Sequence, residues 1–204
     1  MKKWIVLLIV LGILAFLVFA IGGFVVNVNN QAISLEENVS KAWGNVQTSY
    51  QRRNDLIGNL VKTVQGAADF ERTTLREVIE ARAKATATTI NPENITAEQL
   101  KSFNEAQSGL SGALSRLLVS IERYPDLKAN QNFLKLQDEL TSTENTIQTA
   151  RTRYNEAIEP YNNHLRRFPN SMVIGWLGFD GTTKPYFDSE PGAEKPVDVD
   201  FNFK

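Results

Sequence analysis

Cysteine is absent from all 204 residues, and histidine occurs once, at His164. The first absence excludes disulfides, a thiol nucleophile and an anchor attached through a lipidated cysteine. The second leaves any Ser-His-Asp arrangement, and most zinc sites, dependent on a single imidazole. Charge of one sign is missing too: 22 basic and 23 acidic side chains are mixed along the chain, for a net charge of −1. With no basic stripe and no acidic block, a nucleic-acid partner and a long acidic tail are not expected. No glycine-rich loop sits on a strand-to-helix turn to cradle a phosphate, and no nucleophile elbow occurs. No catalytic residue, cofactor-binding residue or metal ligand is therefore assigned, and neither enzymatic activity nor a cofactor is expected.

What the sequence does hold starts at its amino terminus. After Lys2 and Lys3, the run from Trp4 to Val26 carries no charge. At about 1.5 Å per helical residue it reaches about 35 Å, enough to span a hydrocarbon core of roughly 30 Å with some tilt. A cleaved signal peptide is the alternative, but its apolar stretch is usually about 7–15 residues, and Ala20-Ile21-Gly22 is a poor cleavage site. Length favours a retained anchor. The lysines precede the span, while the first charges after it are Glu36 and Glu37. The positive-inside tendency then places the amino terminus in the cytoplasm and the body on the other side.

Beyond the anchor, helical periodicity runs to about residue 168. Phe133, Leu136, Leu140, Thr143, Ile147, Ala150, Tyr154, Ala157, Tyr161, His164 and Phe168 recur at spacings of three and four. This is the seam of a helix packed in a bundle. Leu100, Phe103, Gln107, Leu110, Leu114, Leu117, Ile121 and Tyr124 form a second seam. Tyr124-Pro125-Asp126 separates the two, because the residue before proline disfavours helix, so an antiparallel pair is expected. A third seam runs through Val39, Trp43, Val46, Tyr50, Arg53, Ile57, Leu60, Val64 and Ala67. With no proline between it and the span, the anchor helix is expected to continue into the body, with Gly22-Gly23 or Asn27–Asn30 as sites for a bend.

Leu75, Val78, Ile79, Arg82 and Ala85 suggest a shorter helix ending in Thr86–Ile90. Gly66 and Asp69 permit a turn before it, though one very long helix remains an alternative. Asn91-Pro92 reads as a turn, and Thr96-x-x-Gln99 as a capping box. From residue 171 onward glycine and proline accumulate among Trp176, Phe179, Tyr186, Phe187, Phe201 and Phe203. That density breaks helices, yet the aromatics are too many for a disordered tail. An extended segment lying on its own bundle or on a neighbouring copy is expected.

The polar residues on these faces read as structural. Tyr154-Asn155 and Tyr161-Asn162 repeat seven residues apart, which puts both tyrosines in the seam with their hydroxyls at its edge. Arg53 and Arg82 fall on apolar faces and need carboxylate partners, with Glu71, Glu122 and Glu144 as candidates. His164, near Glu159 and Arg167, lacks the helper groups that proton transfer or metal binding would require.

These residues resemble the LemA family of bacterial membrane proteins. The likeness is carried by Asn38-Val39-x-x-Ala42-Trp43-x-Asn45-Val46 and Tyr50-Gln51-x-Arg53-x-Asp55-Leu56-Ile57-x-Asn59-Leu60-Val61. It continues through Glu71-x-x-x-Leu75, Ala81-Arg82-Ala83 and Leu117-Leu118, then Glu122-x-Tyr124-Pro125-Asp126-Leu127-Lys128. Phe133-x-x-Leu136-Gln137-x-Glu139-Leu140, Glu144-Asn145-x-Ile147, Arg151-x-x-Tyr154-Asn155 and Tyr161-Asn162 follow, with Phe168-Pro169 and Gly178-Phe179 closing the body. Gly58 departs from the pattern, since relatives often carry proline there. The resemblance implies an amino-terminal anchor and an antiparallel up-and-down four-helix bundle, and supplies no activity.

The expected protein is thus all-α, with a flank and transmembrane anchor over 1–28, a helical bundle over 29–169 and an extended tail over 170–204. It sits in a bacterial inner membrane, crosses it once, and exposes its body on the periplasmic or extracellular side. Its expected partners are the lipid bilayer, further copies of itself and another envelope protein. The leading function is a self-associating scaffold that organises the membrane. An adaptor that holds a peptide, lipid or partner helix in a groove left open by the tail is the alternative.

Overall fold

A computed structural model of the chain describes residues 2–66, 71–177 and 182–188. Six α-helices and one 3-10 turn make up its regular structure, and no strand occurs among the described residues. Helix α1 spans Lys2–Gln65 without interruption. Gly22, Gly23 and the asparagines after them leave it helical, because each costs only about 1 kcal/mol or less in a helix interior. Its apolar first part is exposed from Trp4 to Val26 apart from the half-buried Val25, whereas Val28, Ala32 and Val39 are buried. The inward seam therefore starts three turns earlier than Val39, continuing the three-and-four rhythm through Val28, Ala32 and Leu35.

Helix α2 (Arg72–Ala87) is separate from α1. The two run antiparallel: the Arg82 Nε–H donates to the Asn54 carbonyl at 2.7 Å, and the Asn54 amide reaches the Thr86 hydroxyl at 3.4 Å. Ala67 and Asp69, invoked for the seam and the turn, lie outside the described residues. A 3-10 turn at Pro92–Asn94 follows, opened by the Asn91 side chain accepting from the Glu93 N–H. Helix α3 (Ala97–Ile121) starts at the expected capping box, in which Thr96 and Gln99 each accept the other's backbone N–H at 3.2 and 3.1 Å. Pro125 opens the single turn α4 (Pro125–Lys128), and Asn130 caps α5 (Gln131–Arg166) by accepting two backbone N–H groups. Pro160 lies inside α5 on its exposed side, where water can satisfy the carbonyl it leaves without a donor.

Helices α1, α2, α3 and α5 share the interior in two clusters. Trp43, Tyr50, Phe103, Ile147, Tyr154 and Ile158 form the one nearer the apolar span. Ile57, Leu60, Val64, Val78, Leu110, Leu117 and Phe133 form the other. The most extensive backbone contacts are those of α1 with α5 and of α2 with α3. Helices α3 and α5 run antiparallel, as expected from the Pro125 turn, but face each other across the core rather than side by side. Only α1 offers an apolar face as long as that of α5, so the two lie together along their length.

The expectation of extended chain from residue 170 is corrected at its start. Asn170–Leu177 form a short helix, α6, beside α5 and α1. That stretch holds one glycine and no proline, and Ile174 anchors it in the core. Residues 182–188 are non-helical and lie on the body of their own chain. Gly178, Phe179, Phe201 and Phe203 fall outside the described residues.

Candidate functional site

Three polar constellations interrupt the apolar interior. The first is a layer at Arg53, whose side chain is only 4% exposed. Its guanidinium donates to Glu144 at 3.0 Å, to the Ser111 hydroxyl at 3.2 Å and to the Gln107 side chain, and lies 4.9 Å from the Tyr50 ring. Gln107 in turn donates to the Ala85 carbonyl at 3.4 Å. Helices α1, α2, α3 and α5 thus meet in a single network, α3 through both Gln107 and Ser111. Glu144 was among the expected partners. Glu71 and Glu122 bind Arg123 and Lys128 instead. Arg82 is not buried: it is half-exposed, fills the space over Gly58, and has Asp55 at 4.0 Å as its acidic neighbour.

The second constellation clasps residues 184–188 onto α5. The Asn162 amide donates to the Lys184 carbonyl at 2.9 Å and accepts the Lys184 N–H at 3.0 Å. One heptad earlier, Asn155 does the same for Phe187 at 3.0 and 2.9 Å. Each asparagine replaces the two bonds that a neighbouring strand would supply. Between them the Lys184 ammonium, buried at 4% exposure, donates to Glu36 at 3.0 Å and to the Pro92 and Glu93 carbonyls at 3.1 and 2.8 Å. All three ammonium protons are occupied, and the Tyr161 ring lies beneath at 5.4 Å. Phe187 stacks on Trp43 at 5.8 Å and meets Tyr154 edge-on at 5.4 Å. Arg151 covers the Phe187 ring at 4.8 Å and donates to the Asp188 carbonyl at 3.0 Å.

The third is His164, buried where α5 meets the end of the apolar run. Its Nε2 lies 2.9 Å from the Val28 carbonyl, and its Nδ1 lies 3.1 Å from the Asn170 amide nitrogen. A carbonyl only accepts, so Nε2 carries the proton, and Nδ1 accepts from Asn170. Both ring nitrogens are engaged in joining α1, α5 and α6. Glu159 and Arg167 make no bond to the ring.

The chemistry available here is that of holding. Burial pushes the Tyr154 phenol up, so its hydroxyl stays protonated and faces the Pro185 carbonyl at 3.5 Å. Lys184 has no free lone pair, and Arg53 is saturated on its terminal nitrogens. Among the described residues no group of three acidic or imidazole side chains converges as a metal site. The reading of the tyrosines as seam residues agrees with their burial. Sequence reasoning gave the asparagines beside them no role of their own, named Phe187 only among the aromatics of the extended segment, and missed Lys184 altogether. The repeated Tyr-Asn pair was the available signal, but nothing local to it shows that its partner is backbone more than 20 residues away.

On the opposite side, α2 and α3 border an open groove with a floor of Ala81, Ala106, Gly109 and Ala113. Glu77, Glu80, Lys84, Glu105 and Arg116 form its rim.

Comparison with known proteins adds a family and named relatives. The LemA family matches residues 42–201. Magnetosome protein MamQ 2 of Paramagnetospirillum magneticum is 25% identical over 185 aligned residues, covering 82% of this chain and 67% of the relative. Magnetosome protein MamQ of Magnetospirillum gryphiswaldense is 24% identical over the same shares. Protein LemA of Metamycoplasma hominis is 25% identical over 161 residues, 78% of this chain and 70% of the relative.

Proposed function

The chain belongs to the LemA family, and from that premise we propose that it is a single-pass membrane protein whose antiparallel four-helix bundle self-associates as a non-enzymatic scaffold at the bacterial envelope. The observation that carries this reading is the unbroken helix Lys2–Gln65. Its first part is apolar and has no buried residue, and its second part is built into the core. A continuous helix transmits bending and rotation, so each bundle keeps a set angle to the bilayer instead of swinging on a linker. Copies held at one angle pack repetitively, and repetition at a membrane surface organises or bends it. The engaged ammonium of Lys184, the engaged terminal nitrogens of Arg53 and the lack of an assembled reactive centre among the described residues support holding over catalysis. Lys2 and Lys3 ahead of the span, against Glu36 and Glu37 after it, favour a cytoplasmic amino terminus and a body on the periplasmic or extracellular side. Two of the relatives are named magnetosome proteins, which accords with a role in a cellular assembly.

The test is the mass of the full-length protein in mild detergent over a range of concentrations, beside a chain ending at Asp188. A large assembly from the full chain supports the scaffold, and its loss in the shorter chain assigns the contact to residues 189–204. A strict monomer at high concentration overturns the scaffold. The α2–α3 groove favours a second reading, an adaptor that seats a partner segment, since a small-residue floor admits close approach and a charged rim selects a partner.

A further inference from the structure

We propose that the bend between α5 and α6, together with the outer face of α6, lies in the surface of the same bilayer that holds α1, as a second and shallow membrane contact. This inference rests on the reading of α1 as a membrane anchor. Three large apolar side chains are bare in this short stretch: Phe168 is 75% exposed, Met172 67% and Trp176 79%. Met172 and Trp176 are four residues apart, on one face of α6, and Phe168 lies a further four residues ahead. The opposite face is occupied, because Ile174 is buried in the core and Val173 packs against it. From Phe168 to Leu177 there is no charged residue. Bare apolar side chains grouped on one helix face, with no charge among them, mark an interaction surface.

Its position names the occupant. The bond from His164 to the Val28 carbonyl fixes the end of α5 two residues beyond Val26, the last residue of the exposed apolar run. Two residues correspond to about 3 Å along the axis of α1. Asn170, the first residue of α6, is tied to the same imidazole. The bare face is therefore set where α1 leaves hydrocarbon for headgroups, and it continues the apolar surface of the anchor. Its residue types fit that depth, since tryptophan and phenylalanine favour the interface. Arg166 and Arg167, both exposed, immediately precede Phe168 at the height of lipid phosphates. Anionic lipid should strengthen the contact.

The body would then meet the bilayer at two points, through the axis of α1 and through α6 beside it. Two contacts fix tilt and rotation, which one helix alone leaves free.

The test uses the full chain reconstituted in vesicles of phosphatidylcholine and phosphatidylglycerol containing lipids brominated at shallow or deep chain positions. Comparing wild type with Trp176→Phe isolates the emission of Trp176, while Trp4 in the same samples reports insertion of the anchor. Trp43 is buried and serves as the shielded reference. The expected result is stronger quenching of Trp176 by shallow than by deep bromines, with loss of quenching by aqueous iodide. Quenching should rise with the phosphatidylglycerol fraction, and that rise should vanish in Arg166→Gln/Arg167→Gln. If Trp4 is quenched by lipid while Trp176 remains open to iodide, the α6 contact is overturned and the anchor reading stands. If Trp176 is shielded from iodide but untouched by bromine, the face is covered by a second copy, and the lipid assignment is wrong. If neither tryptophan meets lipid, the anchor reading itself fails.

Discussion

Arg53 concentrates the energetics of the interior in one residue. Its carboxylate partner Glu144 is half-exposed, while the guanidinium is almost wholly buried. Removing the exposed member is therefore the more informative change, because it strands a buried charge among neutral acceptors. Glu144→Ala should lower stability by about 2 kcal/mol, less than a fully buried pair would lose because water reaches the carboxylate. Combining it with Arg53→Met should restore part of that loss, and thermal unfolding of the two variants in detergent checks the sign. Tyr154 has a different dependence. Burial raises its folded pKa, so the folded state keeps a proton that the unfolded chain releases near pH 10. The stabilising contribution is complete below that pH and declines as pH rises above it. Tyr154→Phe should flatten the fall in melting temperature between about pH 10 and 11.5, at little cost near neutrality because the bond to Pro185 is long at 3.5 Å. At Gly58 an added Cβ would come within 3.1–3.3 Å of the Arg82 guanidinium. That group is half-exposed on a flexible stem and can yield. Gly58→Ala should then gain up to about 1 kcal/mol of helix propensity, read as a higher melting temperature.

Among the elements, the segment 182–188 depends most on residues outside itself. It has no regular structure of its own, and four bonds from Asn155 and Asn162 fix its backbone. Asn162→Ala leaves a buried N–H and carbonyl of Lys184 unpaired, at about 1–3 kcal/mol each if they stay buried. The segment should peel away locally before the helices melt, seen as faster amide exchange at Lys184 and Phe187 and early proteolysis near Asp188. Asn155→Ala should act in the same direction but less, since Arg151 still holds Asp188. The contrast shows what was legible beforehand. The helices declared themselves through Val39–Val64, Leu100–Ile121 and Phe133–His164, because each seam is a local repeat that burial demands, whereas Phe168, placed at the end of the last seam, lies exposed. Pro125 and Thr96-x-x-Gln99 marked boundaries for reasons equally local. Helix α6 was hidden by the glycines and prolines that follow it, although Asn170–Ile174 contain none. The clasp was hidden more deeply. Lys184 looks like any surface lysine until Glu36, 148 positions away, and the carbonyls of Pro92 and Glu93 converge on it.

For the whole molecule, the question is whether anchor and body move as one piece. Helix α1 passes from exposed apolar surface to buried core between Val26 and Val28, with no residue assigned to a linker. Four additional polar helix-forming residues inserted after Val26 would lengthen α1 by about 6 Å and rotate the body by about 40°. No core contact described here would be broken, since the first buried residue, Val28, moves with the body. Thermal stability should therefore stay within about 0.5 kcal/mol of the parent, as for other changes away from buried contacts. The height of α6 above the bilayer, in contrast, should rise by the full extension. If the body is rigidly coupled, Trp176 should lose its contact with shallow brominated lipid while Trp4 keeps its own, and the mass of any assembly in detergent should fall or change. A flexible coupling would let α6 settle back and leave Trp176 quenched as before. That outcome would remove the rigid angle on which the scaffold reading depends, even though every helix remained in place.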